Sequence, residues 1–138
     1  MMPFVLDASM TVAWAFDDED HPGAAAVLER TQDDAALAPA LWWFEVRNAL
    51  IANERIGRQT EAGTARFLRA LARIPVIVDR SPDEGAVLGL ARRHRLTVYD
   101  SGYLELAQRE GTPLATLDRA LIAAAAAERI PLIGAEPA

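Results

Sequence analysis

Phe4-Val5-Leu6-Asp7-Ala8-Ser9 runs from three apolar residues into an aspartate and then into a segment that reads as helix. Two later stretches repeat the arrangement, Leu96-Thr97-Val98-Tyr99-Asp100 and Leu114-Ala115-Thr116-Leu117-Asp118. In each, a short apolar run that reads as a strand ends in an aspartate that opens a helix-like segment. In a parallel α/β sheet the residues just past the carboxyl ends of the strands share one edge, where ligands bind. Carboxylates brought to one edge repel one another unless a cation sits between them. The basic side chains number 14 and all are arginine, with no lysine and no cysteine. A bound divalent metal is the economical partner for such acids.

Outward from these junctions the chain alternates. Pro3 to Asp7 reads as a strand, Ser9 to Phe16 as a helix, and Asp17-Asp18-Glu19-Asp20 as a solvated acidic loop. His21 to Thr31 reads as helix and Ala36 to Pro39 as strand. Leu41 to Arg55 and Thr60 to Arg73 read as helices, the second capped by Thr60. Pro75 to Asp79 is a β-branched strand. Ser81-Pro82-Asp83-Glu84 has the form of a capping box with proline at the first helical position, predicting a helix to about His94. Leu96 to Tyr99 reads as strand, Ser101 to Glu110 as a helix closed by Gly111, Leu114 to Leu117 as strand, Arg119 to Glu128 as helix and Pro131 to Ile133 as a last strand. Strands alternating with helices predict an α/β fold with a parallel sheet of about five strands, covered on both faces.

At 138 residues the expectation is a single domain spanning 1–138, with 134–138 as a frayed tail. Without cysteine there is no disulfide, zinc-thiolate site or thiol nucleophile. That is compatible with the reducing cytoplasm, the expected location. The first apolar stretch stops at Asp7, too early for a signal peptide, and the run from Ala120 to Ala127 falls far short of the ~20 residues of a membrane span. A net charge of −6 argues against a nonspecific nucleic-acid coat, but not against a nucleic-acid enzyme whose acids hold metal.

Each of Asp7, Asp100 and Asp118 has an ordinary explanation as a helix N-cap. Their recurrence at equivalent strand ends weakens it. Glu45 is harder to explain locally. Its helical neighbours are Leu41, Trp42, Asn48 and Ala49, none of them a cation. A glutamate in such a stripe should be neutral, paired at long range, or bound to metal directly or through water. Oxygen-rich sites suit Mg²⁺ or Mn²⁺, which align phosphate and water for phosphodiester hydrolysis.

Other chemistries are removed. The chain has no Gly-Lys-Ser/Thr phosphate loop, no dinucleotide-binding glycine turn and no Gly-x-Ser-x-Gly elbow. His21 and His94 lack metal-ligand spacing and read as surface residues. Receiver domains and haloacid-dehalogenase-type phosphatases share an acidic α/β layout, but both use a lysine this chain lacks.

The order Asp7, Glu45, Asp100, Asp118 resembles the acidic quartet of the PIN-domain nucleases. The local words are similar too: Val5-Leu6-Asp7-Ala8-Ser9, Phe44-Glu45-Val46-Arg47-Asn48-Ala49-Leu50 and Leu117-Asp118-Arg119-Ala120-Leu121. Tyr99-Asp100-Ser101-Gly102-Tyr103-Leu104-Glu105-Leu106-Ala107 is especially similar to bacterial VapC-type toxins. The resemblance implies a PIN-like three-layer α/β/α sandwich and a Mg²⁺- or Mn²⁺-dependent endoribonuclease, the toxin of a VapBC-type toxin–antitoxin system. It implies Asp7 and Asp100 as leading direct metal ligands, with Glu45 and Asp118 completing the site directly or through water, around one ion or two. Ser9 and Thr116 are expected to orient a carboxylate or water. Implied partners are RNA, a VapB-type antitoxin and a second toxin subunit, as homodimer or toxin–antitoxin hetero-oligomer, with no membrane. The alternatives are a catalytically silent binding module of the same fold, or a small-molecule phosphatase or receiver-like domain.

Two arginine groups are candidate RNA contacts. Arg66, Arg69 and Arg73 share a helix face, and Arg92, Arg93 and Arg95 close another helix. Solvated faces are the competing explanation. Trp42 and Trp43 point about 100° apart on a helix, so they cannot both fill one narrow stripe; core burial is the main explanation for these aromatics and a partner surface the alternative.

Overall fold

The computed structural model describes residues 2–16 and 21–134. The expectations for the acidic stretch Asp17 to Asp20 and for the tail beyond Gly134 lie outside the described residues. Among these, five parallel strands form one sheet: β1 (Phe4–Leu6), β2 (Ala36–Pro39), β3 (Val76–Asp79), β4 (Leu114–Ala115) and β5 (Leu132–Ile133). The helices are α1 (Ala8–Ala13), α2 (Pro22–Arg30), α3 (Leu41–Arg55), α4 (Glu61–Leu71), α5 (Glu84–His94), α6 (Val98–Glu110) and α7 (Arg119–Ala127). The arrangement is the three-layer α/β/α sandwich expected from the alternation of elements.

The strand order is β3-β2-β1-β4-β5. The chain therefore builds outward from β1 to β3, then returns to β1's other side to lay down β4 and β5. Val5 of β1 is in register with Leu37 on one side and Leu114 on the other. The switch in direction falls between β1 and β4, and their carboxyl ends flank the crevice where parallel α/β sheets bind ligands.

Successive strand side chains point to opposite faces. Phe4, Val5 and Leu6 are all fully buried, so both faces of β1 are covered. Helix α6 lies against β1, β2 and β4, with α5 and α7 packed beside it, while α1 packs on α2 and α3. Trp42, Val46 and Leu50 give α3 its buried stripe. Each such apolar side chain contributes roughly 1.5–3 kcal/mol by leaving water. Helix ends follow local chemistry: the Thr60 hydroxyl accepts from Gly63 N at 2.9 Å to start α4, and Gly111, at φ 63°, closes α6 in the left-handed conformation.

The structure corrects two sequence expectations. Leu96 to Tyr99 is no strand: α6 begins at Val98, with Val98 and Tyr99 51% and 63% exposed. The β-branched character of the run loses to a cap, because the Thr97 hydroxyl accepts the Asp100 amide at 3.0 Å. Arg95, left-handed at φ 55°, ends α5 immediately before, so no length remains for a strand. Asp100 is therefore a first-turn helix residue rather than a strand-end or N-cap aspartate. The capping box at Ser81 is also absent. Helix α5 starts at Glu84 after Asp83, and the Ser81 amide instead meets the Asp79 carboxylate at the end of β3.

Among the described residues no helix is long and apolar enough to cross a membrane. Gly102 sits inside α6 without interrupting it.

Candidate active site

Asp7 follows β1 directly and caps α1. Its backbone is extended, and its carboxylate accepts from Met10 N at 2.9 Å. Two hydroxyls converge on the same carboxylate. Ser9 Oγ lies 2.8 and 2.9 Å from its two oxygens, and Thr116 Oγ1 donates to Oδ2. Those hydroxyls also accept from the chain beyond β4: Ser9 from Leu117 N at 2.9 Å, Thr116 from Asp118 N at 3.0 Å. Side chains on both sides of the switch point are thus stitched together around Asp7, which is only 3% exposed. Burial pushes the Asp7 carboxyl up to about 7, against the lowering effect of its Thr116, Met10 and Ser9 hydrogen bonds, with the Asp118 charge adding to the rise.

Asp118 caps α7, accepting from Ala120 N at 2.8 Å and Leu121 N at 3.3 Å. Glu45 projects from the middle of α3. Its partner is Tyr103, whose hydroxyl donates to Oε1 at 2.6 Å across the gap between α3 and α6. Burial raises the Glu45 carboxyl, the Tyr103 bond opposes this, and the charges of Asp100 and Asp118 raise it further. Asp100, in the first turn of α6, is raised by burial and then by Asp118, while the Thr97 hydroxyl lowers it. The helix dipole favours an acid at that position.

Asp7, Glu45, Asp100 and Asp118 all line one cavity of about 360 Å³. The structure thus brings the four acids and Ser9 to one place, with Thr116 bonded behind them. Burial raises three of the four acids, and the Asp118 charge adds to the rise in each. Among the described residues no three such side chains form a ready-made cage for an ion. All of the offered donors are oxygen, the hard-cation set.

None of Arg66, Arg69, Arg73, Arg92, Arg93 or Arg95 lines this cavity. All six are exposed, and Arg93 pairs with Glu128 at 2.7 Å. His94, read as a surface residue, is half-buried, with Nε2 2.6 Å from the same glutamate; His21 is exposed as expected. Trp42 is buried, its Nε1–H donating to Thr11 Oγ1 at 3.0 Å, and Trp43 is exposed beneath the Arg47 guanidinium. Four cavity residues escaped the sequence reading: Asn48, Asn53, Arg58 and Tyr103. Asn48 and Tyr103 carried a usable signal, each three positions after an acid on the same helix and so on its face. Arg58 carried none, because a turn beyond the end of α3 returns it to the cavity.

Fold and site together place this molecule in a class: the chain belongs to the PIN domain family, whose profile matches residues 4–128. Among curated proteins it is 32% identical to Ribonuclease VapC3 of Pyrobaculum aerophilum over 139 residues, covering 96% of this chain and 98% of that protein. It is 38% identical to Exonuclease VapC9 of the same organism over 81 residues, a match covering 58% of this chain and 59% of that protein, less than two thirds of its length. Among solved structures, PAE2754 from Pyrobaculum aerophilum superposes with a TM-score of 0.67 at 31% identity, covering 89% of this chain and 79% of that one. VapC20 of Mycobacterium tuberculosis, a Sarcin-Ricin loop cleaving toxin, shares the fold with a TM-score of 0.61 at 16% identity, over 88% of this chain and 94% of that one. VapBC2 of Rickettsia felis, bound to a DNA fragment from its promoter, shares the fold with a TM-score of 0.58 at 15% identity, over 95% of this chain and 97% of that one.

Proposed function

We propose that this protein is a divalent-metal-dependent endoribonuclease and the toxin half of a VapBC-type toxin–antitoxin pair. The observation that carries the reading is the convergence of Asp7, Glu45, Asp100 and Asp118 on one cavity at the sheet's switch point. A relative named Ribonuclease VapC3 that aligns over nearly the whole chain supports it. Partnership with a VapB-type antitoxin rests on kinship with VapC proteins and on the VapBC2 complex of the same fold. A homodimer or toxin–antitoxin hetero-oligomer in the cytoplasm completes the proposal.

Asp7 and Asp100 are the proposed direct ligands of Mg²⁺ or Mn²⁺, with Glu45 and Asp118 binding directly or through water. When bound, the ion supplies an activated water and offsets negative charge gathering at phosphorus. The chain's own residues do the rest. Ser9, Thr116 and the Met10 amide fix the Asp7 carboxylate, so it is already oriented when substrate arrives. Tyr103 fixes Glu45 across the cavity. The reaction is in-line hydrolysis: a water oxygen bonds to phosphorus, the bond to the 3′ oxygen breaks, and a proton passes to that oxygen. The products are a 5′-phosphate and a 3′-hydroxyl.

The test is cleavage of a labelled RNA pool by antitoxin-free protein with Mg²⁺, Mn²⁺ or chelator. Folded Asp7→Asn and Asp100→Asn variants run alongside. Metal-dependent cutting, lost by at least about a thousandfold (~4 kcal/mol of barrier) in each variant, is the expected result. Cutting that survives both substitutions, or a well-folded wild type that cuts nothing with either metal, would count against it.

A further inference from the structure

The cavity is lined by four acids, and among its described lining residues the single cation is Arg58. A polynucleotide entering such a site meets carboxylates that repel its phosphates wherever cations do not offset their charge. A positive side chain at the mouth is what that substrate needs, and arginine is the one that forks onto phosphate.

Arg58 is presented by a built device. Gly57, left-handed at φ 82°, turns the chain just past α3, and the Arg58 and Gln59 amides both donate back to Asn53 O, at 2.9 and 3.3 Å. The Arg58 guanidinium lies over the Phe16 ring, 4.6 Å from its centroid. Its Nη1 donates to Asn53 Oδ1 at 3.2 Å, and Asn53 is itself anchored by Nδ2 donating to Ala49 O at 2.8 Å. Phe16 is buried and lines the same cavity, so the guanidinium rests on a fixed surface. Stacking engages the flat face of a guanidinium, whereas phosphate is taken at its edge.

We propose that Arg58, seated on Phe16 and steadied by Asn53 at the rim of the acidic cavity, clamps a backbone phosphate of the RNA next to the one being cut. This rests on the nuclease reading and adds to it a substrate-binding residue. It adds one arginine at the cavity to the two exposed arginine groups as a candidate RNA contact.

The experiment measures anisotropy of a fluorescein-labelled single-stranded RNA pool in Ca²⁺ across a salt series, with gels confirming that the RNA stays intact. Wild type is compared with Arg58→Ala, Arg58→Gln and Arg58→Lys, each checked by thermal melting. Arg58→Ala and Arg58→Gln should bind about tenfold more weakly, with a log K against log salt slope shallower by about 0.7, the value of one phosphate on a single strand. Arg58→Lys should recover most of the slope but less of the affinity. In cleavage assays KM should rise with kcat nearly unchanged. A folded Arg58→Gln protein with wild-type affinity and slope overturns the clamp, as does weaker binding with an unchanged slope, which assigns Arg58 a structural role. Those results leave wild-type cleavage intact, whereas a wild type that neither binds nor cuts RNA removes the nuclease reading itself.

Discussion

Asp7 and Asp100 face the same cavity from opposite kinds of support. Asp7 stands at the end of the central strand, almost wholly buried, gripped by two hydroxyls and a backbone amide. Asp100 rides on the first turn of a helix, half-buried, beside an exposed tyrosine and behind a threonine cap. Glu45 belongs with Asp100, since both project from helices. The site is therefore a corner held by hydrogen bonds at a strand end, facing a wall carried on helices.

The sharpest way to break this comparison is through pH. The Asp7 carboxyl is raised from 3.8 to about 7 in the folded chain, with burial as its first cause. Between those values the folded state binds a proton that the unfolded state has released. Stability from this group is thus full below about pH 4, falls as pH rises toward 7, and is lost beyond it. A shift of this size corresponds to a loss of at most roughly 4 kcal/mol. In metal-free protein Asp7→Asn should abolish that slope, making the variant relatively more stable than wild type above pH 7. Added Mn²⁺ should narrow the gap by stabilising only wild type. Asp100→Asn should change the pH slope in the same direction but much less, because the group is closer to solvent. Denaturant melts of the three proteins from pH 4 to pH 8 decide it, and equal slopes for both variants would erase the distinction between corner and wall.

A smaller effect sharpens the corner itself. Thr116 donates to Asp7 and accepts from the Asp118 amide, so Thr116→Val strips a donor from one acid and a partner from the backbone beside another. The expected cost is about 1–3 kcal/mol from buried groups left unpaired, with the Asp7 carboxyl raised further. Cleavage should fall at least about tenfold, and Thr116→Ser should restore both properties. A Thr116→Val protein of wild-type stability would mean that the hydroxyl is dispensable and the corner is held by Ser9 and Met10 alone.

The same division explains how much could be read from the sequence. Strand-end logic found Asp7 and Asp118 because each follows a true strand that the β-sheet rule describes. It reached Asp100 by a wrong route: the apolar run before it suggested a strand, and a threonine hydroxyl made it a helix start instead. Local propensity is a weak prior, and a single cap overrode it. Glu45 was found by the opposite logic, as a charge with no local partner, and its real partner, Tyr103, lies 58 residues away in sequence. Arg58 was out of reach. Its place depends on an asparagine and a left-handed glycine at the end of α3 and on a phenylalanine from just past α1, and no periodicity links the two segments. The arginines that cluster in sequence were conspicuous, and they are exposed and outside the acidic cavity.

The smallest predicted effect bears on the wall. Thr97 satisfies the Asp100 amide at 3.0 Å and starts α6, the helix that also carries Tyr103. Thr97→Ala should cost about 1 kcal/mol, the usual value of a lost N-cap, measured by urea denaturation. Fraying of the first turn would loosen Asp100 while leaving Tyr103, one turn deeper and buried, in place on Glu45. Mn²⁺ affinity, read by calorimetry, should therefore fall a few-fold, about 0.5–1 kcal/mol. Thr97→Ser should restore it, since serine caps as well as threonine. If Thr97→Ala instead cost as much stability as Thr116→Val, the first turn of α6 would be as firmly built into the molecule as the strand ends, and the wall would be a second corner.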